Sequence, residues 1–368
     1  MKRLMNKLIC VVLALFVIMT LSSCGRVKKD VLYEYENDGT TPTTSAKTTA
    51  VVEGYTEMFT GNIIAYNYWK DLSVYNAPRS LEGATSGFGI STLQGENMKN
   101  ISVSTNRFIS ASASENGEVY FTEKDPSGTE YVYFSDSLAE KKILLAKGEA
   151  GKGIVWCVSE GNTFLYVDPY NRIKSVSGGT ERLIYEIPEG YTPSKIRYCE
   201  TDGIIMMLAT SQSSANNLYR IDLSDKRLTA IDVYVTDMSV VTSADKTAYV
   251  KIDSRGQKQL YVYDHNTVMR KYILSGNIDR FTLSPFGGYI AYYLRPTDGG
   301  SGSVWIINTR DYTNVQITAN TSLSSDIYWA STEKELIFTR SETLENEELK
   351  ETVYKTYRIK FYYAYTEE

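Results

Sequence analysis

Apolar and polar residues alternate over short stretches along most of this chain, and polar turns separate the stretches. A period of two is the mark of half-buried strands, whose side chains point alternately to opposite faces. A polar turn followed by an apolar strand recurs at Asn116, Gly161, Asp202, Asp245, Gly287 and Glu333, about every 43 residues. A repeat of that length, filled with short strands and almost no helical spacing, predicts an all-β fold, a β-propeller of four-stranded blades.

The clearest repeat runs from Phe281 through Ser284-Pro285-Phe286-Gly287-Gly288 to Tyr289-Ile290-Ala291-Tyr292-Tyr293. A strand enters a tight turn and returns as a second strand. The loop 296–303 leads to a third strand, Val304 to Asn308, and a polar turn leads to a fourth, Asn314 to Thr318. Third strands recur at Tyr131–Phe134, Leu218–Ile221 and Leu260–Tyr263, in step with their turns. The Ser-Pro-Phe-Gly-Gly-Tyr-Ile-Ala-Tyr run resembles the TolB-like propeller repeat, which has Asp where this chain has Phe286. That resemblance covers roughly residues 108–361 and implies blade structure while leaving function open.

Six repeats are regular, and a seventh is expected in residues 55–104, with Gly61 as its turn and Asn62 to Tyr66 as its second strand. Seven blades are favoured and six are the alternative. Closure is expected through a strand near Val51 to Met58 lying beside Tyr357 to Tyr363, which hides two sheet edges. Two stretches break the period. Residues 78–89 read as irregular, and the acid-rich run Ser341 to Glu351 reads as a solvated loop or a short amphipathic helix.

The first residues follow another pattern. Lys2, Arg3 and Lys7 precede an apolar run from Leu8 to Leu21, too short for an ordinary membrane span and suited to a signal-peptide core. The run ends in Leu21-Ser22-Ser23-Cys24, which is similar to the lipobox of bacterial lipoproteins. The resemblance implies a signal peptide over residues 1–23, lipidation of Cys24, and a protein held at the cell membrane on its extracytoplasmic side. Paired acyl chains anchor stably without spanning the bilayer. Residues 24–54 then read as a flexible, Thr-rich linker, and residues 55–368 as one propeller domain.

Composition narrows the function. The chain has 39 Lys and Arg against 44 Asp and Glu, a formal charge of −5. Removing residues 1–23 takes away three cations and no acid, which shifts that charge to −8. An acidic chain is a poor partner for nucleic acid or anionic lipid heads, so the membrane tether has to be the lipid. His265 is the chain's one histidine, and it sits in the turn-like run Asp264-His265-Asn266-Thr267, where a solvated side chain is expected. No G-x-S-x-G elbow is present, which excludes a propeller-bearing serine peptidase of the familiar kind. With one His and two thiols beyond Cys24 in the mature chain, no usual zinc set can form, and no calcium loop or other cofactor motif appears.

Cys157 and Cys199 each lie four residues before a turn Gly and read as equivalent buried thiols in consecutive blades. Of the four tryptophans, Trp156, Trp305 and Trp329 read as core, and Trp69 as a possible contact for ligand. The chain therefore reads as a lipid-anchored extracytoplasmic binding or scaffold protein for a protein, peptide or glycan of the envelope. The alternative is a hydrolase or lyase acting on envelope polysaccharide through carboxylates. No catalytic residue is singled out.

Overall fold

The alternation closes into seven sheets of four antiparallel strands, arranged as the blades of a β-propeller. The computed structural model describes residues 48–365 apart from 82–83, 137–140, 160–161, 178–179, 212–214, 298 and 347–348. The signal segment, Cys24 and most of the linker lie outside the described residues.

The chain opens with β1 (Thr48–Thr60), which begins inside the stretch that reads as linker. Blade 1 holds β2 (Asn62–Asn67), β3 (Leu72–Leu81), β4 (Ala84–Gln94) and β5 (Asn97–Ser104). Blade 2 holds β6 (Arg107–Ala113), β7 (Val119–Lys124), β8 (Glu130–Ser135) and β9 (Lys142–Lys147). Blade 3 holds β10 (Trp156–Val158), β11 (Phe164–Val167), β12 (Arg172–Ser177) and β13 (Thr180–Glu186). Blade 4 holds β14 (Thr192–Cys199), β15 (Ile204–Thr210), β16 (Asn216–Asp222) and β17 (Arg227–Val233). Blade 5 holds β18 (Val235–Val241), β19 (Lys246–Ile252), β20 (Lys258–Asp264) and β21 (Arg270–Ser275). Blade 6 holds β22 (Ile278–Leu283), β23 (Tyr289–Leu294), β24 (Gly302–Asn308) and β25 (Asn314–Thr321). Blade 7 holds β26 (Tyr328–Trp329), β27 (Glu335–Asn346) and β28 (Leu349–Tyr365), with β1 added as its fourth strand.

The closing ladder runs from Thr48↔Tyr365 to Thr60↔Lys355 and includes Val51↔Tyr362 and Glu57↔Tyr357, as expected from the sequence. The seam between blades 7 and 1 is tied further. Ile63 N–H donates to Thr339 Oγ1 at 2.9 Å, and Thr356 Oγ1–H donates to Gly61 O at 2.9 Å. Both ends of the described chain thus share one blade, and neither β1 nor β28 is left with an unpaired inner edge.

Each blade turns from its first strand to its second through a residue with left-handed backbone: Asp71, Gly117, Asn162, Gly203, Asp245, Gly287 and Glu333. The seventh marker is therefore Asp71, and Gly61 is not one. Asn62 to Tyr66 form the first strand of blade 1, because β1 occupies the preceding outer position and shifts the count by one strand. At Gly287 the requirement is also steric, since a Cβ there would lie 2.7 Å from the Cβ of Ala244 in the neighbouring blade.

Apolar side chains from facing sheets fill the spaces between blades. Ile196, Ile205, Met207 and Ile221 pack against Leu165 and Ile173 between blades 3 and 4. Ile204, Met206, Leu208 and Leu218 point from the other face of blade 4 toward Met238 and Tyr249 of blade 5. Both faces of β15 are buried, which explains its unbroken apolar run Ile204 to Ala209.

Cys157 and Cys199 are buried thiols outside any disulfide. They hold like places on their first strands, with one difference: Cys199 is the last paired residue before its turn, and in blade 3 Val158 follows Cys157 in the ladder. Both thiols face the following blade, Cys157 in the core between blades 3 and 4 and Cys199 in the core between blades 4 and 5. Burial pushes the Cys157 thiol up to about 11, with the field of Arg197 opposing, so it stays protonated at neutral pH.

Both irregular stretches are extended hairpins. Beyond Asn76, β3 pairs only with β4, out to Leu81↔Ala84, and beyond Arg340, β27 pairs only with β28, out to Asn346↔Leu349. Each joins the second and third strands of its blade, so both emerge on the same face, from adjacent blades. No helix among the described residues is long and apolar enough to cross a membrane.

Candidate functional site

The blade topology gives the propeller two unlike faces. Turns from first to second and from third to fourth strands lie on one, here the lower face. Turns from second to third strands, and the links between blades, lie on the other, the upper face.

A depression of about 910 Å³ opens on the upper face between blades 2 and 3. One wall is the link 148–155, which is stitched to blade 2. Gly148 N–H donates to Glu130 O at 2.8 Å, and Ile154 N–H donates to Glu130 Oε2 at 3.0 Å. The link folds closely on itself: a Cβ at Gly148 would lie 2.8 Å from the backbone oxygen of Lys152.

The opposite wall is the turn Asp168-Pro169-Tyr170-Asn171 between β11 and β12. Asp168 is 7% exposed. Its Oδ1 accepts the N–H groups of Tyr170 and Arg172 at 2.9 and 3.0 Å, and its Oδ2 accepts Arg172 Nε–H at 2.8 Å. Burial alone would raise the Asp168 carboxyl, but these bonds outweigh it and hold the group below the usual range. The turn is thereby fixed with Tyr170 standing out, 78% exposed, and the Arg172 guanidinium lying 4.9 Å from its ring centre. An aromatic ring held in that way offers a stacking surface at little entropic cost.

The depression continues past Ile154, Val155 and Ser194 into a second space of about 300 Å³ at the central channel, walled by β6, β10 and β14. Five of the first strands carry a register shift near their upper ends, and the residues that follow it are Ala65, Ser110, Lys195, Asp237 and Arg280. Bulges of this kind re-aim side chains. Lys195 Nζ bonds Asp237 Oδ1 at 2.6 Å across blades 4 and 5, and Arg280 Nη1 bonds Asp326 Oδ1 at 2.9 Å across blades 6 and 7. Burial, with Arg197 next, pulls the Lys195 ammonium down. Burial pushes the Tyr328 phenol well up, although Arg280 and Arg197 oppose it, so it is a neutral group in this channel.

His265 lies on the lower face, remote from this groove, and is not solvated as the sequence suggests. It is 3% exposed. Its Nε2 and Thr247 Oγ1 share a 2.8 Å hydrogen bond, and its Nδ1 lies 3.5 Å from Asp202 Oδ2 of blade 4. The turn is a turn, as expected, but blade 4 covers it. Burial first and Arg220 next lower the imidazole to about 4, so it is neutral at pH 7.

Trp305 and Trp329 are core, while Trp156 is partly buried and donates from Nε1 to Thr122 Oγ1 at 2.8 Å. Trp69 is half exposed in the lower-face turn of blade 1, away from the groove. Among the described residues, no group of three His, Cys, Asp or Glu side chains is placed to hold a metal ion. The groove residues escape sequence reading because they come from three separate connections and the strand ends beside them. The one local sign is the run Gly148-Glu149-Ala150-Gly151-Lys152-Gly153, richer in Gly than the other links.

No family model matches the chain, and no curated protein sequence matches it. Solved structures share the fold at low identity. An oligogalacturonate lyase in complex with manganese is 10% identical, with a TM-score of 0.61 over 86% of this chain and 98% of that one. A prolyl endopeptidase is 12% identical, with a TM-score of 0.58 over 82% of this chain and 50% of that one. TolB from Acinetobacter baumannii is 16% identical, with a TM-score of 0.46 over 67% of this chain and 64% of that one. The chain thus matches less than two thirds of TolB and half of the endopeptidase. At these identities the likeness is one of fold.

Proposed function

We propose that this propeller is a lipid-anchored extracytoplasmic binding or scaffold protein, and that its upper-face groove receives a glycan or peptide segment of the cell envelope. The observation that carries it is the groove itself: an open depression of about 910 Å³ with the fixed, exposed Tyr170 on one wall and the channel mouth at its end. Concave sites with a few convergent polar groups are the usual places for ligands. The described chain enters through β1 from the lower face, so a tether attached there need not cross the groove.

The groove offers little to an enzyme. Its two carboxylates are Glu149, ion-paired with Lys152 at 3.5 Å, and Asp168, committed to the turn and held below the usual range. A general acid needs the opposite shift. The reading as hydrolase or lyase gains no support from this geometry. The manganese-bound lyase lends its fold, and its chemistry does not follow from 10% identity.

Envelope material captured by the full-length protein tests the binding site. Tyr170→Ala is expected to weaken capture by at least about tenfold while leaving the unfolding midpoint unchanged, since the side chain is largely exposed. Undiminished capture by this variant would remove the groove from consideration. The anchor is tested separately: metabolic labelling with a palmitate analogue should mark the protein, and Cys24→Ala should abolish the label and release the chain from membranes.

A further inference from the structure

The groove and channel mouth have a charge opposite in sign to the chain as a whole. Their lining carries the cations Lys147, Lys152, Arg172, Lys174, Lys195 and Arg197 against the acids Glu149 and Asp168. The whole chain is formally −5. A cationic cleft in an acidic protein concentrates anions locally.

Four of those cations have carboxylate partners. Arg172 and Lys174 lie 2.7 and 3.6 Å from Asp168, and Lys174 lies 2.8 Å from Glu181. Lys152 reaches Glu149 and Lys195 reaches Asp237. Lys147 and Arg197 have no carboxylate partner among the described residues. Lys147 lies 5.5 Å over the ring of Tyr131. Arg197 donates one bond, from Nη1 to Ile196 O at 2.9 Å, which leaves most of its five N–H groups for a ligand. Its field is felt at Lys195, Cys157 and Tyr328, from three different blades. Nearby in the same channel, Arg280 Nε is buried without a hydrogen-bond partner.

The walls indicate what kind of anion. They combine the Gly-rich link and the turn 168–171 with the ends of β9, β11 and β12. They offer the open ring of Tyr170, a surface on which a sugar ring can stack, beside cations spaced along a groove. We infer that the site takes an acidic oligosaccharide, with a ring on Tyr170 and carboxylates on Lys147 and Arg197, an inference that rests on the groove being the binding site. Arg suits this task because its planar fork meets a carboxylate with two parallel hydrogen bonds.

The test uses the full-length protein in detergent and three probes: an oligouronate, the same oligosaccharide with its carboxylates reduced to alcohols, and poly-glutamate. Calorimetry at low and high salt should show the oligouronate binding at least about tenfold tighter than the reduced form, with affinity falling as salt rises. Arg197→Gln combined with Lys147→Gln should remove most of that advantage. Lys147→Gln alone, on the exposed rim, covers the case in which the channel variant fails to fold, and Lys360→Gln on blade 7 should change nothing. Equal binding of the reduced oligosaccharide, or no loss in the charge variants, would overturn the acidic ligand while leaving the groove as the site. Tighter binding of poly-glutamate would replace the sugar with an acidic peptide. Tyr170→Ala without effect on any probe, or no saturable binding of all three, would overturn both the ligand class and the site.

Discussion

His265 shows how one residue's surroundings set a property of the whole protein. Its imidazole is lowered to about 4 from an unfolded value near 6.5. Below pH 6.5 the unfolded chain therefore takes up a proton that the native chain refuses, and stability falls as pH drops from about 6.5 toward 4. A shift of that size corresponds to about 3 kcal/mol. The pull of Asp245 and Asp264 on the charged imidazole is contained in that value, while the Asp202 carboxyl, raised by burial and by its bond to Asp245, binds its proton more readily in the native chain and opposes part of the loss. Urea midpoints between pH 7 and 5 should fall in the native protein and fall less in His265→Gln. Parallel curves for the two proteins would sink this assignment. The sequence could not show it, because the turn composition is read correctly and the cover comes from Asp202 and Thr247, distant in the chain.

At the scale of elements, the regular blades were legible and the departures from them were not. Apolar patterning and turn chemistry placed the turns of blades 2 to 6, the third strands of blades 2, 4, 5 and 6, and all four strands of blade 6. The segments 78–81 with 84–89, and 341–346 with 349–351, form ladders whose outer halves pair only with each other, so the blade period does not extend into them. The groove was hidden for a similar reason: its walls include connections, which the repeat places but does not describe. The link 148–155 carries its own test. In Gly148→Ala the new methyl would lie 2.8 Å from the backbone oxygen of Lys152 and 3.2 Å from Ile154 Cγ1, within the link itself. Urea unfolding should show a loss of about 1–3 kcal/mol, accompanied by weaker ligand binding. An unchanged stability and affinity would mean that the link adjusts freely and does not define the wall.

Over the whole molecule, β1 makes the propeller a ring. It supplies the outer strand of blade 7 along a ladder from Thr48 to Thr60, and Val52 packs against the core between blades 6 and 7. Removing the chain through Thr60 exposes the long edge of β28. Thermal unfolding should shift down by about 10 °C or more, and size-exclusion chromatography should show association. A monomer of native midpoint would mean that the other blades close without it. The ring also gives the molecule its two faces, and the central claim is that the upper one binds. Photo-crosslinking in cells tests it most directly, with the reactive group placed at Tyr170 on the upper face or at Phe286 on the lower. Adducts with envelope material are expected from Tyr170 and not from Phe286. Adducts from Phe286 alone would place the binding surface on the wrong face and contradict the account.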